Sequence, residues 1–201
     1  MLAIIHDCDP GADDVLALLL ALGSPRDCRV IAVTSVRGNV SATQGATNAL
    51  RVLALAGRDD VDVYVGSDAP LFGDAREGDA AFGVTGMGGL ELPMTDRLPR
   101  PGSAVECIIE RTLSLGPGEL TLCATGPLTN VAAAFSREPR VPERLREVVV
   151  MGGAFAVPAV GRRRRGNITE YSEFNFYMDP HAAQRVFSST ARMTLIPLQG
   201  S

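Results

Sequence analysis

A chain of 201 residues can bury one substantial core, and 46% hydrophobic with 21% charged residues is the balance of an ordinary globular domain. The formal net charge of −4 gives no general reason to expect nucleic acid or an anionic membrane as partner. All 19 basic residues are arginine, which excludes every mechanism that needs a lysine.

The apolar run 2–7 predicts a buried first strand, and 12–23 predict the helix that follows it. Between them stands Asp7-Cys8-Asp9-Pro10-Gly11-Ala12-Asp13-Asp14. Such crowded carboxylates repel one another, and a bound divalent cation is the usual way to offset the repulsion. An oxygen-rich cluster favours Ca²⁺ or Mg²⁺ over softer metals. Asp7 and Asp9 are two apart, so in an extended segment they point the same way. Asp13 and Asp14 open the helix, where its dipole favours negative charge. Helix capping and solvation account for one or two such acids, but poorly for four beside a buried strand. No basic region precedes the first apolar run, so no cleavable signal peptide is expected. The apolar run 15–22 is too short to span a membrane and reads as a buried helix.

Further along, 29–35 read as a second strand, 41–56 as a helix stopped by Gly57, and 62–65 as a short third strand. The Gly- and Pro-rich stretch 66–102 has little periodicity and reads as loop with short pieces of structure, a length that points to function or disorder. Helices are expected at 104–115, 128–135 and 180–187, and strands at 119–124, 147–151 and 192–198. The alternation predicts an α/β fold with an open, mainly parallel sheet and helices on both faces, in one domain over 1–201. Cys8, Cys28, Cys107 and Cys123 are scattered without metal-ligand spacing and read as buried, reduced thiols of a cytoplasmic protein. Polar clusters follow several predicted strands: Gly38-Asn39, the run Thr125-Gly126-Pro127-Leu128-Thr129-Asn130, and Met151-Gly152-Gly153. Any one of them suits a cap or tight turn; together they converge on the carboxyl edge of the sheet, where ligands bind in open α/β folds.

In order, these residues resemble the inosine-uridine preferring nucleoside hydrolase family. The matching pieces are the opening acidic run, Arg37-Gly38-Asn39, Gly86-Met87-Gly88, Ala124 through Asn130, Val149-Val150-Met151-Gly152-Gly153, Gly166-Asn167, Glu173-Phe174-Asn175 and Asp179-Pro180. The resemblance implies a Ca²⁺-dependent hydrolase that splits ribonucleosides into ribose and free base, on a Rossmann-like nucleoside hydrolase fold. It also implies a homodimer or homotetramer with a small-molecule substrate and neither nucleic acid nor membrane as partner. Carried over by position, Asp9 and Asp14 ligate Ca²⁺ through carboxylates and Thr125 through its carbonyl, and Asp9 is the general base on a calcium-bound water. Asp13, Asn39, Asn167, Glu173 and Asn175 hold the ribose hydroxyls and 5′ end, Met151 and Phe174 pack against the sugar, and Asp7 orients the cluster from behind. The chemistry suits these residues: the breaking bond builds positive charge on the sugar, which surrounding carboxylates and amide oxygens stabilise.

The chain departs from the family pattern in three places. The pattern continues beyond the strand near Leu198 into a part carrying a further Asp ligand and a histidine near the base, which this length is expected to lack. His6 and His181 are the only histidines, one beside the acidic cluster and one in a predicted helix. Phe82 stands where many members have histidine; it cannot donate a proton, and either stacks on a purine or packs its loop. Arg162-Arg163-Arg164-Arg165 enlarges a loop and reads as a solvated tip, with a phosphate or a nucleic-acid backbone as the alternative contact.

Two competing readings follow from the residues. Haloacid-dehalogenase-like phosphatases also open with strand-Asp-x-Asp, but they need a lysine. The other reading is a catalytically impaired ribose- or nucleoside-binding remnant, which metal affinity and turnover would separate from an enzyme.

Overall fold

The computed structural model describes residues 1–75, 83–155 and 166–200. Six strands form one sheet in the order β3-β2-β1-β4-β5-β6, and every pairing is parallel. They are β1 (Leu2–Cys8), β2 (Cys28–Ser35), β3 (Asp62–Val65), β4 (Leu120–Ala124), β5 (Glu147–Met151) and β6 (Met193–Ile196). The sequence is wound outward from β1 in one direction and from β4 in the other. The β1–β4 junction is therefore the topological switch point, where the loops leaving two neighbouring strands diverge and open a crevice.

The helices are α1 (Ala12–Leu22), α2 (Ala42–Leu55), α3 (Ala104–Ser114), α4 (Thr129–Arg137), α5 (Val141–Arg144), α6 (Phe174–Met178) and α7 (Pro180–Phe187). α1 and α2 pack with Val30, Val33 and Val63 in one core, while α3, α4, α5 and α7 pack with Ile5, Leu122, Val148 and Val150 in the other. The ends of these helices follow local chemistry. Ser103 and Glu106 form a reciprocal capping box on α3, and the Ser41 hydroxyl accepts from the Gln44 N–H on α2. Gly57, at φ +63°, lets the chain turn back after α2 in a conformation that a side chain disfavours.

The predicted elements are present with ends shifted by one or two residues. The described part of 66–102 contains neither helix nor strand, so the short pieces of structure expected within this loop do not occur among its described residues. Two short helices had no sequence signal: α5 is a single turn, and α6 is an apolar run of five residues too short to show a period. The expectation that 15–22 is buried needs correction. Val15, Leu18 and Leu22 face the core, but Leu16 and Leu20 are 69% and 74% exposed, because α1 lies on the outside of the sheet with only one side covered. The thiols are likewise only partly as expected. All four are free, yet only Cys8 and Cys107 are buried, since Cys28 sits at a strand start and Cys123 near the sheet surface is half-covered.

Candidate active site at the β1–β4 switch point

β1 delivers Asp7 at its last turn of pleat, and the following residues carry Asp9 into the crevice. Asp7, Asp9 and Asp14 are all buried, while Asp13 remains exposed at the first turn of α1. The loop after β2 crosses directly over Asp9, where the Asn39 N–H donates to Asp9 Oδ2 at 2.7 Å. This approach requires glycine at 38: a Cβ there would lie 2.0 Å from Asp9 Oδ2. Gly126, after β4, is equally constrained, with a Cβ position 2.7 Å from Asp9 Oδ1. Asn39 and Asp13 flank Gly11, whose Cβ position is 2.9 Å from Asn39 Nδ2 and 3.0 Å from Asp13 Oδ1.

From β4 comes Thr125, whose hydroxyl donates to Asp14 Oδ1 at 2.5 Å and meets His6 Nε2 at 2.9 Å. The hydroxyl has one proton, and Asp14 takes it, so His6 must supply the other bond from Nε2–H. Burial lowers the His6 pKa to about 4, which keeps the ring neutral and agrees with that tautomer. The Thr125 carbonyl accepts from Asn175 Nδ2 at 2.8 Å. The same amide reaches the Met151 carbonyl at 3.1 Å and Met151 Sδ at 3.3 Å, so α6 is fastened across the ends of β4 and β5.

Behind this front row, Asp7 Oδ1 accepts from the Thr34 hydroxyl at 2.5 Å and from Asn130 Nδ2 at 2.9 Å, while Asp7 Oδ2 is buried without a hydrogen-bond partner. Burial pushes Asp7 up to about 7 despite those two bonds. Burial, reinforced by Asp13, raises Asp14 to about 6. Burial and then the Asp14 charge raise Asp9 well above its ordinary value. Three neighbouring acids that resist ionisation need protons or a cation.

The donors here suit a hard cation. Two carboxylates and a backbone carbonyl, from Asp9, Asp14 and Thr125, are all oxygen, the preference of Ca²⁺, which completes six to eight ligands with water or substrate oxygens. Among the described residues no three His, Cys, Asp or Glu side chains gather into a group that could hold a metal ion on their own.

The structure thus brings together Asp7, Asp9, Asp13, Asp14, Asn39, Thr125, Met151 and Asn175. Glu173 lies nearby, but its carboxylate faces backbone: Oε1 accepts from the Asn175 N–H at 2.7 Å, and Oε2 from Gly153 N–H at 2.9 Å and Phe176 N–H at 3.1 Å. It caps α6 and ties it to the turn after β5. Asn167 Oδ1 accepts from the Phe174 N–H at 2.9 Å, and Phe174 itself is buried. Phe82 and Arg162, Arg163, Arg164 and Arg165 lie outside the described residues. Thr34 was missed in the sequence because a threonine in a strand is ordinary. Asn130 appeared only within a motif, with no sign that it reaches Asp7.

Comparison with known proteins places this geometry. Residues 4–200 match the family model of the inosine-uridine preferring nucleoside hydrolases. The chain is 40% identical over 188 residues to the pyrimidine-specific ribonucleoside hydrolase RihA of Citrobacter koseri, covering 94% of this chain and 57% of that protein. It is 39% identical over 196 residues to the inosine-uridine preferring nucleoside hydrolase of Leishmania major, covering 97% of this chain and 60% of the relative. The solved purine-preferring ribonucleoside hydrolase from Gardnerella vaginalis superposes with a TM-score of 0.89 at 37% identity, over 98% of this chain and 60% of that one. The chain therefore spans about 60% of the length of the relatives it matches. The chain belongs to the inosine-uridine preferring nucleoside hydrolase family.

Proposed function

We propose that this chain, as one domain over residues 1–201, hydrolyses the N-glycosidic bond of ribonucleosides to ribose and free base. The observation that carries the reading is the meeting of Asp9, Asp13, Asp14, Asn39, Thr125 and Asn175 at the switch point, supported by relatives named as pyrimidine-specific, inosine-uridine preferring and purine-preferring hydrolases. Those names share ribonucleosides and differ in the base, so the sugar is the common element of recognition.

Asp9 is the general base: the Asn39 N–H holds one carboxylate oxygen at 2.7 Å and leaves the other to take a proton from the attacking water. Asp13 and Asn39, on either side of Gly11, bind ribose hydroxyls, and the Asn175 amide orients the far rim with Met151 against the sugar. Glu173 and Asn167 hold the start of α6 in place and border the 5′ end with Phe174. Asp7, fixed by Thr34 and Asn130, supports the acidic turn from below. Negative groups around the sugar stabilise the positive charge that grows as the base departs. Asp9, Asp14 and the Thr125 carbonyl would hold Ca²⁺, which would supply a positive centre that makes water easier to deprotonate. Buried polar groups left unpaired by a missing hydroxyl make discrimination at the sugar exceed discrimination at the base.

The free thiols support a cytoplasmic location, and no described helix is long and apolar enough to cross a membrane. A homodimer or homotetramer is proposed from the family alone. The deciding experiment is release of free base from inosine, adenosine, guanosine, uridine and cytidine, with Ca²⁺ and with chelator. Chelator-sensitive release that Asp9→Ala abolishes supports the reading; its absence in folded protein would leave a nucleoside-binding remnant instead.

A further inference from the structure

Asn48 is a fully buried amide in the middle of α2, surrounded on that helix by Ala46, Ala49, Val52 and Leu53. A polar side chain in such surroundings is costly unless its partners are well placed. Asn48 Nδ2 donates to the Pro10 carbonyl at 2.9 Å and to the Thr85 carbonyl at 2.8 Å, and Oδ1 accepts from Gln44 Nε2 at 2.9 Å. The two carbonyls fix which end is the NH₂ group, since an oxygen there would face two acceptors.

The two acceptors belong to different parts of the molecule. Pro10 lies between Asp9 and Gly11 in the acidic turn. Thr85 lies in the segment 83–89, where Gly83, Gly86, Gly88 and Gly89 all have positive φ. Glycines of that kind carry little conformational preference of their own, so contacts must set where the segment sits. Gly86 is pressed so close that a Cβ would lie 2.8 Å from Val40 Cγ1 and 3.4 Å from the Pro10 carbonyl, and Met87 is buried in the α1–α2 core. One side chain thus joins the acidic turn and the glycine-rich segment.

We propose that Asn48 is a positioning residue that locks segment 83–89 against the acidic turn and thereby sets substrate affinity. The kinetic part rests on the hydrolase reading above; the placement of the segment does not. Asn48→Asp puts an acceptor against two carbonyls at nearly constant shape, Asn48→Leu removes the polar link, and Thr47→Ala is the control on the neighbouring exposed position, whose hydroxyl bonds only within the helix.

In calcium-loaded protein, hydrogen exchange within 83–89 is expected to quicken at least about tenfold in both Asn48 variants while α2 keeps its protection. The KM of a hydrolysed nucleoside should rise about five- to thirtyfold, the scale of two lost hydrogen bonds, and kcat should fall by less. The proposal is overturned if segment 83–89 exchanges as in the parent, if α2 loosens together with it, or if kcat falls with KM unchanged. If the parent turns over no nucleoside, the hydrolase reading fails alone and the exchange pattern still judges Asn48. Should Asn48→Leu not fold, Gln44→Ala removes the bond that orients the Asn48 amide and should give the same pattern at smaller size.

Discussion

The backbone N–H of Asn39 holds Asp9 Oδ2 at 2.7 Å, and the residue before it has no room for a methyl group. Gly38→Ala would place a Cβ 2.0 Å from that oxygen, so the Asp9 carboxylate must rotate or the loop must lift. The expected outcome is a folded protein whose kcat/KM falls at least about a hundredfold, the scale of displacing a catalytic group. Circular dichroism and steady-state kinetics check it together; unimpaired turnover would mean that Asp9 is not the base.

Stability without metal should depend on pH in an unusual direction. Burial raises Asp7 from 3.8 to about 7 and Asp14 from 3.8 to about 6. The folded state therefore binds more protons than the unfolded state between about pH 4 and pH 7, and stability falls as pH rises through that window. His6, lowered from 6.5 to about 4, works the other way below pH 6.5, but one imidazole opposes several carboxyls. Chelator-treated protein should melt at a higher temperature at pH 5 than at pH 8. Added Ca²⁺, which favours the ionised carboxylates, should raise the melting temperature more at pH 8 than at pH 5. Thermal melts at both pH values, with chelator and with Ca²⁺, give the comparison, and equal increments would count against metal at this site.

Thr125 separates two roles within one residue. Thr125→Val keeps the carbonyl and deletes the hydroxyl that links His6 to Asp14. Calcium binding by titration calorimetry should persist, while kcat falls about tenfold, equivalent to one charge-assisted hydrogen bond. Thr125→Ser should restore most of it. Loss of metal binding in the valine variant would show that the hydroxyl, and not the carbonyl, matters for the ion.

Asp179 carries stability. Its Oδ2 accepts from the Leu71 N–H at 2.8 Å and the Thr129 hydroxyl at 2.8 Å, and its Oδ1 caps α7 through the Ala182 N–H at 2.9 Å. Asp179→Ala loses a helix cap and strands the buried Thr129 hydroxyl and the partly buried Leu71 N–H, a cost of about 2–4 kcal/mol. Urea denaturation should show a lower midpoint with an unchanged slope.

Much of this was readable in the chain because two patterns coincide: apolar runs of strand length, and polar residues placed just after them. Asp9, Asn39 and Thr125 each follow such a run, so their convergence follows from a parallel sheet alone. The contacts behind them do not. Asn48 is a lone amide on the apolar stripe of a helix, and its partners are not evident until the fold brings Pro10 and Thr85 to it. Three backbone N–H groups converge on the Glu173 carboxylate, contacts that depend on the path of the chain after β5 and have no sign in the sequence. α6 escaped notice because one and a half turns of Phe174-Asn175-Phe176-Tyr177-Met178 offer no polar face to set against an apolar one.

The pairing of β1 with β4 also bears on how the protein is made. During synthesis the acidic turn emerges well before Thr125, Asn130 and Asn175. Until β4 slides in beside β1, the aspartates have neither the Thr125 bond nor the Asn130 bond, and they stay solvated and mutually repelling. Long-range parallel pairing of this kind closes slowly. The capacity to hold a hard cation should thus appear late and all at once, making metal uptake a reporter of sheet completion in a refolding experiment.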